Sequence, residues 1–205
     1  MEKKYINYGL YALIIILIAL SVYFLYDITT EELDLSYYEY SNGDTVFEVT
    51  IVSDDETQIP VFVDDDGPPY LLHFQYDPLS VEDISIDRDI YNKIYDVEQI
   101  YVTIDPNAGY TSLITIAAFE IEKFFDVPYL PYNIPVNSAF ISKYGETVVK
   151  TCEDATLDTA VIWLYVGDKT QVYSNGYCII VEGTSEAEVV RATDRLMYYM
   201  FGIVR

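Results

Sequence analysis

The sequence predicts an α/β domain, with α+β as the neighbouring class, behind an N-terminal transmembrane helix. Three observations predict this. Residues 5–26 form an apolar run without a single charge. A strand–loop–helix pattern occurs twice, at 99–125 and 177–201, which points to helices packed on one mixed sheet without specifying a doubly wound order. Between the two copies, Asn175-Gly176 gives the strongest short hairpin signal in the chain, because both central positions of such a turn need a positive φ.

A helix rises about 1.5 Å per residue, so roughly 20 residues cross a hydrocarbon core of about 30 Å. The run from Tyr5 to Tyr26 meets that length. Tyr5, Tyr8 and Tyr11 stand near one end, and Tyr23 and Tyr26 near the other, as the headgroup belts favour. Lys3 and Lys4 precede the run, whereas Asp27, Glu31, Glu32 and Asp34 follow it. The positive-inside bias then makes residues 1–4 a cytoplasmic tip and places the C-terminal domain outside. A cleaved signal peptide is the competing reading, with Ala19-Leu20-Ser21 as a small-x-small site. The apolar residues continue past it, beyond the roughly 7–15 of an ordinary h-region. Either way the rest of the chain is exported. A buried core helix would need a large protein around so apolar a surface.

The 205 residues carry 11 Lys+Arg and 34 Asp+Glu, a formal charge of −23. Setting aside Glu2, Lys3 and Lys4 leaves 33 acids against 9 bases, a difference of −24. Nucleic-acid binding and attraction to anionic lipid need clustered Lys and Arg, so this balance excludes both as the main activity. It favours divalent cations or a basic partner, with halophilic solvation as the remaining explanation. The 22 tyrosines include the clusters Tyr37, Tyr38, Tyr40 and Tyr198, Tyr199, which suit recognition or plain core packing.

Residues 27–44 are acidic and Tyr-rich and read as a stalk, leaving 45–205 as one extracytoplasmic α/β domain. Thr45–Ser53 reads as a strand, 54–57 as a turn and Ile59–Val63 as a second strand. Pro60 lacks an N–H and demotes that strand to a sheet edge. After the break at Asp64–Pro69 a third strand covers Tyr70–Tyr76. Ser80 caps a short helix, Asp87–Asp96 forms another, and Gln99–Ile104 is β-rich. Leu113–Phe125 is apolar on most faces and therefore reads as the buried central helix. Pro128, Pro131 and Pro135 enforce an extended connection to a strand near Ala139–Ser142. Asp158–Val166, Gln171–Tyr173 and Tyr177–Val181 are strands, and Ser185 with Glu188 is a capping box. The helix it starts runs to Phe201, with Val189, Ala192, Leu196 and Met200 on one stripe.

Cys152 and Cys178 are the only cysteines, and outside the cell an even pair reads as a disulfide. Closing a loop of that length stabilises the fold by about 3 kcal/mol in the chain-entropy model. Two buried thiols are the alternative. Asp64, Asp65 and Asp66 ahead of Gly67 offer hard oxygen ligands for Ca²⁺, although the spacing is not that of a full calcium loop and a solvated turn explains it as well. The loop Asp105, Asn107, Gly109, Thr111, Ser112 joins a strand to a helix N-terminus, where amides attract anions. Asp105 and Asn107 are alternative Ca²⁺ ligands, and a turn with a helix cap is the plain reading. His73 is the single histidine, sits in Leu-Leu-His-Phe, and has no Gly-x-Ser-x-Gly elbow to serve. No catalytic residue and no cofactor other than Ca²⁺ emerges as a candidate.

The segment Cys178-Ile-Ile-Val-Glu-Gly-Thr-Ser-Glu-Ala-Glu-Val-Val-Arg-Ala192 resembles a unit of archaeal surface-layer proteins. In that family an apolar strand ends in a small Gly-containing loop and leads into an acid-capped helix. An earlier strand of the family ends in Gly-Gly-Pro-x-x-Asn, and here Asp105-Pro106-Asn107-Ala108-Gly109 departs from it. The resemblance implies a cell-envelope role and an archaeal source. It transfers no catalytic residue.

The expected function is therefore non-enzymatic: a single-pass envelope protein held in the bilayer by residues 5–26, binding other envelope or membrane proteins as an accessory subunit. The alternatives are an extracytoplasmic Ca²⁺ or small-ligand module at the 105–112 loop and a hydrolase using paired carboxylates, which sequence does not display.

Overall fold

The computed structural model describes residues 13–23, 35–54, 56–63 and 67–205. The chain divides into two units, residues 1–35 and residues 36–205. In the first, residues 13–23 are helical (α1) and every one of them is exposed. Among the described residues no helix is long and apolar enough to cross a membrane. Residues 5–12 and 24–26 of the expected span, the 1–4 tip and 27–34 of the stalk lie outside the described residues.

The second unit holds two sheets with helices between them. Sheet A is the antiparallel meander β1 (Ser36–Ser41), β2 (Val46–Ser53), β3 (Glu56–Val61) and β4 (Tyr70–Phe74). The expected stalk therefore needs correction: residues 36–41 are a strand paired with β2 from Ser36↔Ile51 to Ser41↔Val46, and Tyr40 is buried. Alternation explains it, since Tyr38 and Tyr40 point inward and Tyr37 and Glu39 outward. The expected edge position of Pro60 also needs correction, because β3 lies inside the sheet. The missing N–H acts locally instead. On the β2 side pairing ends at Thr50↔Gln58, while on the β4 side it continues through Pro60↔Leu71 to Val61↔Tyr70.

Sheet B contains β5 (Ser85–Ile86), β6 (Gln99–Ile104), β7 (Val136–Phe140), β8 (Thr159–Val166), β9 (Gln171–Asn175) and β10 (Cys178–Gly183), in the order β5-β9-β10-β8-β6-β7. It is mixed: β10 is parallel to β8 and antiparallel to β9. The chain enters β10 through the Asn175-Gly176 turn, with Gly176 at φ 63° as that turn requires. Crossing from β8 to β9 brings Gly167 against β10, where its N–H donates to the Gly183 carbonyl. A Cβ at Gly167 would meet the side chains of Glu182 and Tyr165. Glu182 is buried, and its carboxylate accepts from the amides of Asp168 and Lys169 and from Gln171 Nε2.

Three helices belong to this unit: the short α2 (Ile90–Ile94), α3 (Ser112–Phe125) and α4 (Glu186–Met200). Asp77, not Ser80, caps the 3₁₀ turn Pro78–Val81 by accepting from Leu79 N–H. The capping expectation at Ser185 holds in half, since its hydroxyl accepts from Glu188 N–H while the Glu188 carboxylate turns to Thr170 and Arg191. The central helix is α4, which corrects the expectation for α3. It packs along β8, β9 and β10 of sheet B. From its other side Tyr198 stacks on Phe74 of β4 with ring centroids 4.0 Å apart. Lying between two sheets, α4 buries even Thr193, Asp194 and Arg195. One core joins Ile59, Leu72 and Phe74 of sheet A to Ile162, Leu164, Ile179 and Val181 of sheet B. The helices cover one face of sheet B only. The other face carries Cys178, bonded to Cys152 in the segment that crosses it.

Candidate functional site

The helix that sequence places at the centre is half outside. Ile114, Ala117, Ile121, Phe124 and Phe125 turn α3 into the core. Leu113, Ile116 and Phe119 face solvent, exposed at 39%, 36% and 55%. Spaced three residues apart, they form one stripe. A helix apolar on both faces buries one and leaves the other uncovered, as a helix with a partner would. A groove of about 400 Å³ runs beside the stripe, walled by Gln75, Ser112, Thr115, Ile116, Phe119, Glu120 and Lys123.

Beneath that groove two carboxyl groups approach each other from α3 and α4. Asp194 is wholly buried; its Oδ2 accepts the backbone N–H groups of Gln75 (3.0 Å) and Tyr76 (2.8 Å). Its Oδ1 has no hydrogen-bond partner among the described residues, and neither has Oε2 of Glu120. Burial pushes the Glu120 carboxyl up to about 7, against the pull of Lys123 and Gln75. Burial, followed by the charge of Glu120, pushes Asp194 well above the usual carboxylate range, against the two amides it accepts. Burial thus disfavours the charged form of both acids, and the charge of Glu120 adds to the effect at Asp194. Only Glu120 opens onto the groove.

The 105–112 loop makes its hydrogen bonds within the chain. Asp105 accepts the Asn107 N–H at 2.9 Å, and Asn107 Nδ2 donates to Ser142. The N-terminus of α3 is already occupied by a carboxylate from within the chain. Glu186, in the first turn of α4, accepts from the Thr111 N–H and hydroxyl, each at 2.9 Å, and from Ile114 N–H at 3.2 Å. The anion that this helix end attracts is thus Glu186. Gly109 supplies the positive φ of the turn, and Ser112 starts the helix. Asp64, Asp65 and Asp66 lie outside the described residues. Among the described residues no group of three or more His, Cys, Asp or Glu side chains converges.

Cys152 and Cys178 are disulfide-bonded, as expected. His73 projects from the outer face of β4, with Nδ1 3.0 Å from the Glu56 carboxylate. The hydrogen bonds from Gln58 and His73 hold Glu56 below its usual range. Of the tyrosine clusters, Tyr198 and Tyr40 are core residues, and only Tyr37 is fully open.

Sequence reasoning missed the Glu120–Asp194 pair. The two acids are 74 positions apart, and the signal that marks them is local: each interrupts an apolar face of its helix. Set against protein-family models, curated proteins and solved structures, the chain matches none.

Proposed function

We propose that the chain is a single-pass protein of the cell envelope, anchored by residues 5–26, whose extracytoplasmic body is the interaction module of a membrane or surface assembly. The observation that carries this reading is the uncovered stripe Leu113, Ile116, Phe119 on α3. Its occupant is an apolar-faced, base-flanked helix of a neighbouring envelope protein. Charge complementarity supports that choice, since the exposed acids Glu122 and Asp126 continue the stripe on a body (residues 36–205) with 29 acids and 9 bases. The disulfide suits an oxidising exterior. The resemblance of residues 178–192 to surface-layer units agrees with an envelope setting.

Fractionation of cells expressing the full chain tests the placement. The reading expects the protein to stay with membranes through an alkaline carbonate wash and its body to be cut by protease added outside intact cells. Recovery in the soluble cytosolic fraction would overturn it.

A second reading, a carboxylate-dependent hydrolase, draws on the Glu120–Asp194 pair alone. Asp194 has no exposed surface and its Oδ2 is held by two amides, so one carboxyl of the pair cannot touch a substrate. Hydrolysis by the purified full chain that disappears in Glu120→Gln, with folding intact, would favour this reading over the first.

A further inference from the structure

Sheet A comes apart between two neighbouring strands. The pairing of β2 with β3 ends at Thr50↔Gln58. Continued by two residues, the same register would set Glu48 against Pro60, which has no N–H to return. A cavity of about 890 Å³ opens where the strands part. Its wall draws on both faces of the sheet. Val46 and Phe62, exposed at 59% and 68%, stand on the outer side, whereas Phe47, Val61 and Phe201 pack against the core. A slot between two strands accounts for such a lining, and a dent in one face does not.

β2 brings main-chain groups to this slot. The Asn42 N–H donates to the Thr45 carbonyl, which makes Asn42 and Thr45 a hydrogen-bonded pair at the end of the β1–β2 ladder. Alternation from that pair through Ser41↔Val46 to Glu39↔Glu48 turns the N–H and C=O of Val46 and Glu48 away from β1 and toward the slot. The β2–β3 ladder stops short of both residues. Main-chain donors and acceptors beside an apolar wall are a template for an added strand.

We infer that the slot receives an extended segment of another protein, added as a β-strand along β2 and carrying lysine or arginine between apolar residues. The main chain selects a peptide over a small apolar molecule, since a peptide returns the bonds that Val46 and Glu48 offer. Val46, Pro60, Phe62 and Leu71 take its apolar side chains. Charge complementarity selects the rest of its chemistry. Glu48 is the single charged residue of the wall, and the sequence after Val63 continues with Asp64, Asp65 and Asp66. No Lys or Arg lines the slot among the described residues, so an acidic segment would meet no counter-charge there. The slot shares no wall residue with the groove beside α3, and its occupancy does not depend on docking at the α3 stripe.

Fluorescence polarisation with the full chain in nanodiscs of neutral phosphatidylcholine tests the inference and keeps detergent out of the slot. The probe is a labelled peptide of about six residues alternating valine with lysine. Saturable binding is expected, weakened up to about fivefold by Glu48→Gln, as loss of an exposed charge pair implies. The same peptide N-methylated throughout keeps its side chains but loses its donors, and should bind at least about tenfold more weakly. Phe62→Asp and Val46→Asp should each remove binding, and because both positions are exposed an unchanged melting curve checks that folding is intact. Bound peptide should also slow hydrogen exchange at the Val46 and Glu48 amides. No saturable binding would overturn the inference. Equal binding of the N-methylated peptide or of a valine–glutamate peptide, or binding that survives both aspartate variants, would overturn it as well.

Discussion

Glu186 closes the N-terminus of α3 from the first turn of α4, taking the Thr111 N–H and hydroxyl at 2.9 Å and the Ile114 N–H at 3.2 Å. One side chain thereby caps one helix and ties it to another. Glu186→Ala should lower stability by about 1–2 kcal/mol, as loss of a charged N-terminal cap does. Glu186→Gln should keep part of that. Denaturant unfolding measures both, and equal losses in the two variants would show that the charge contributes nothing.

The Glu120–Asp194 pair predicts a pH dependence whose sign follows from proton binding. Glu120 is raised from 4.5 to about 7 and Asp194 is raised as well, so the folded chain holds more protons than the unfolded one in this window. Their contribution is fully present below about pH 4.5 and is lost as pH rises through 7. Lys123 and the Gln75 side chain face the pair and oppose the shift, while Tyr198 adjoins Asp194 on α4. Glu120→Gln should flatten the fall in stability between pH 4.5 and 7, an effect on the order of 2 kcal/mol. An unchanged slope in that variant would contradict the raised Glu120 carboxyl.

Reduction of Cys152–Cys178, or the double change to alanine, removes a cross-link between positions 26 residues apart. The expected cost is about 3 kcal/mol in the chain-entropy model. It is read as a lower denaturant midpoint with the slope nearly kept. Since the bond holds only the segment on the outer face of sheet B, α4 should keep its helical signal after reduction.

Gly167 tolerates no side chain. In Gly167→Ala the new methyl would meet the Glu182 carboxylate, which holds the β8–β9 crossing through Asp168, Lys169 and Gln171. A loss of about 2 kcal/mol or more is expected, because displacing Glu182 leaves a buried carboxylate without its donors. Thermal unfolding checks it.

The parts of this fold legible in sequence are those fixed by local chemistry. Asn175-Gly176 needs positive φ, Ser185 accepts from Glu188 N–H, and Val189, Ala192, Leu196 and Met200 repeat at helical spacing; each appears as expected. What failed depends on which surfaces meet. Leu113, Ile116 and Phe119 read as core because apolarity alone does not say which side of a helix is covered. Nothing local announces that α4 lies between two sheets and buries Asp194 and Arg195. β1 was hidden by its acids and tyrosines, although their alternation carries the strand period. For Asp105 and Asn107 the sequence offers residue type and loop position, not the contacts they make. The structure places Asp105 on the Asn107 amide and fills the neighbouring helix end with Glu186 from 75 residues away.

The account depends most on the outer face of α3. The direct measurement is the size of the complex holding the full chain, taken by native electrophoresis of mild-detergent membrane extracts, for the parent and for Ile116→Asp with Phe119→Asp. Both positions are exposed, so the body should melt as the parent does. The account predicts that the double variant runs at the mass of the chain in its micelle while the parent runs in a larger assembly. The same large assembly in both, or the bare mass in both, would contradict it.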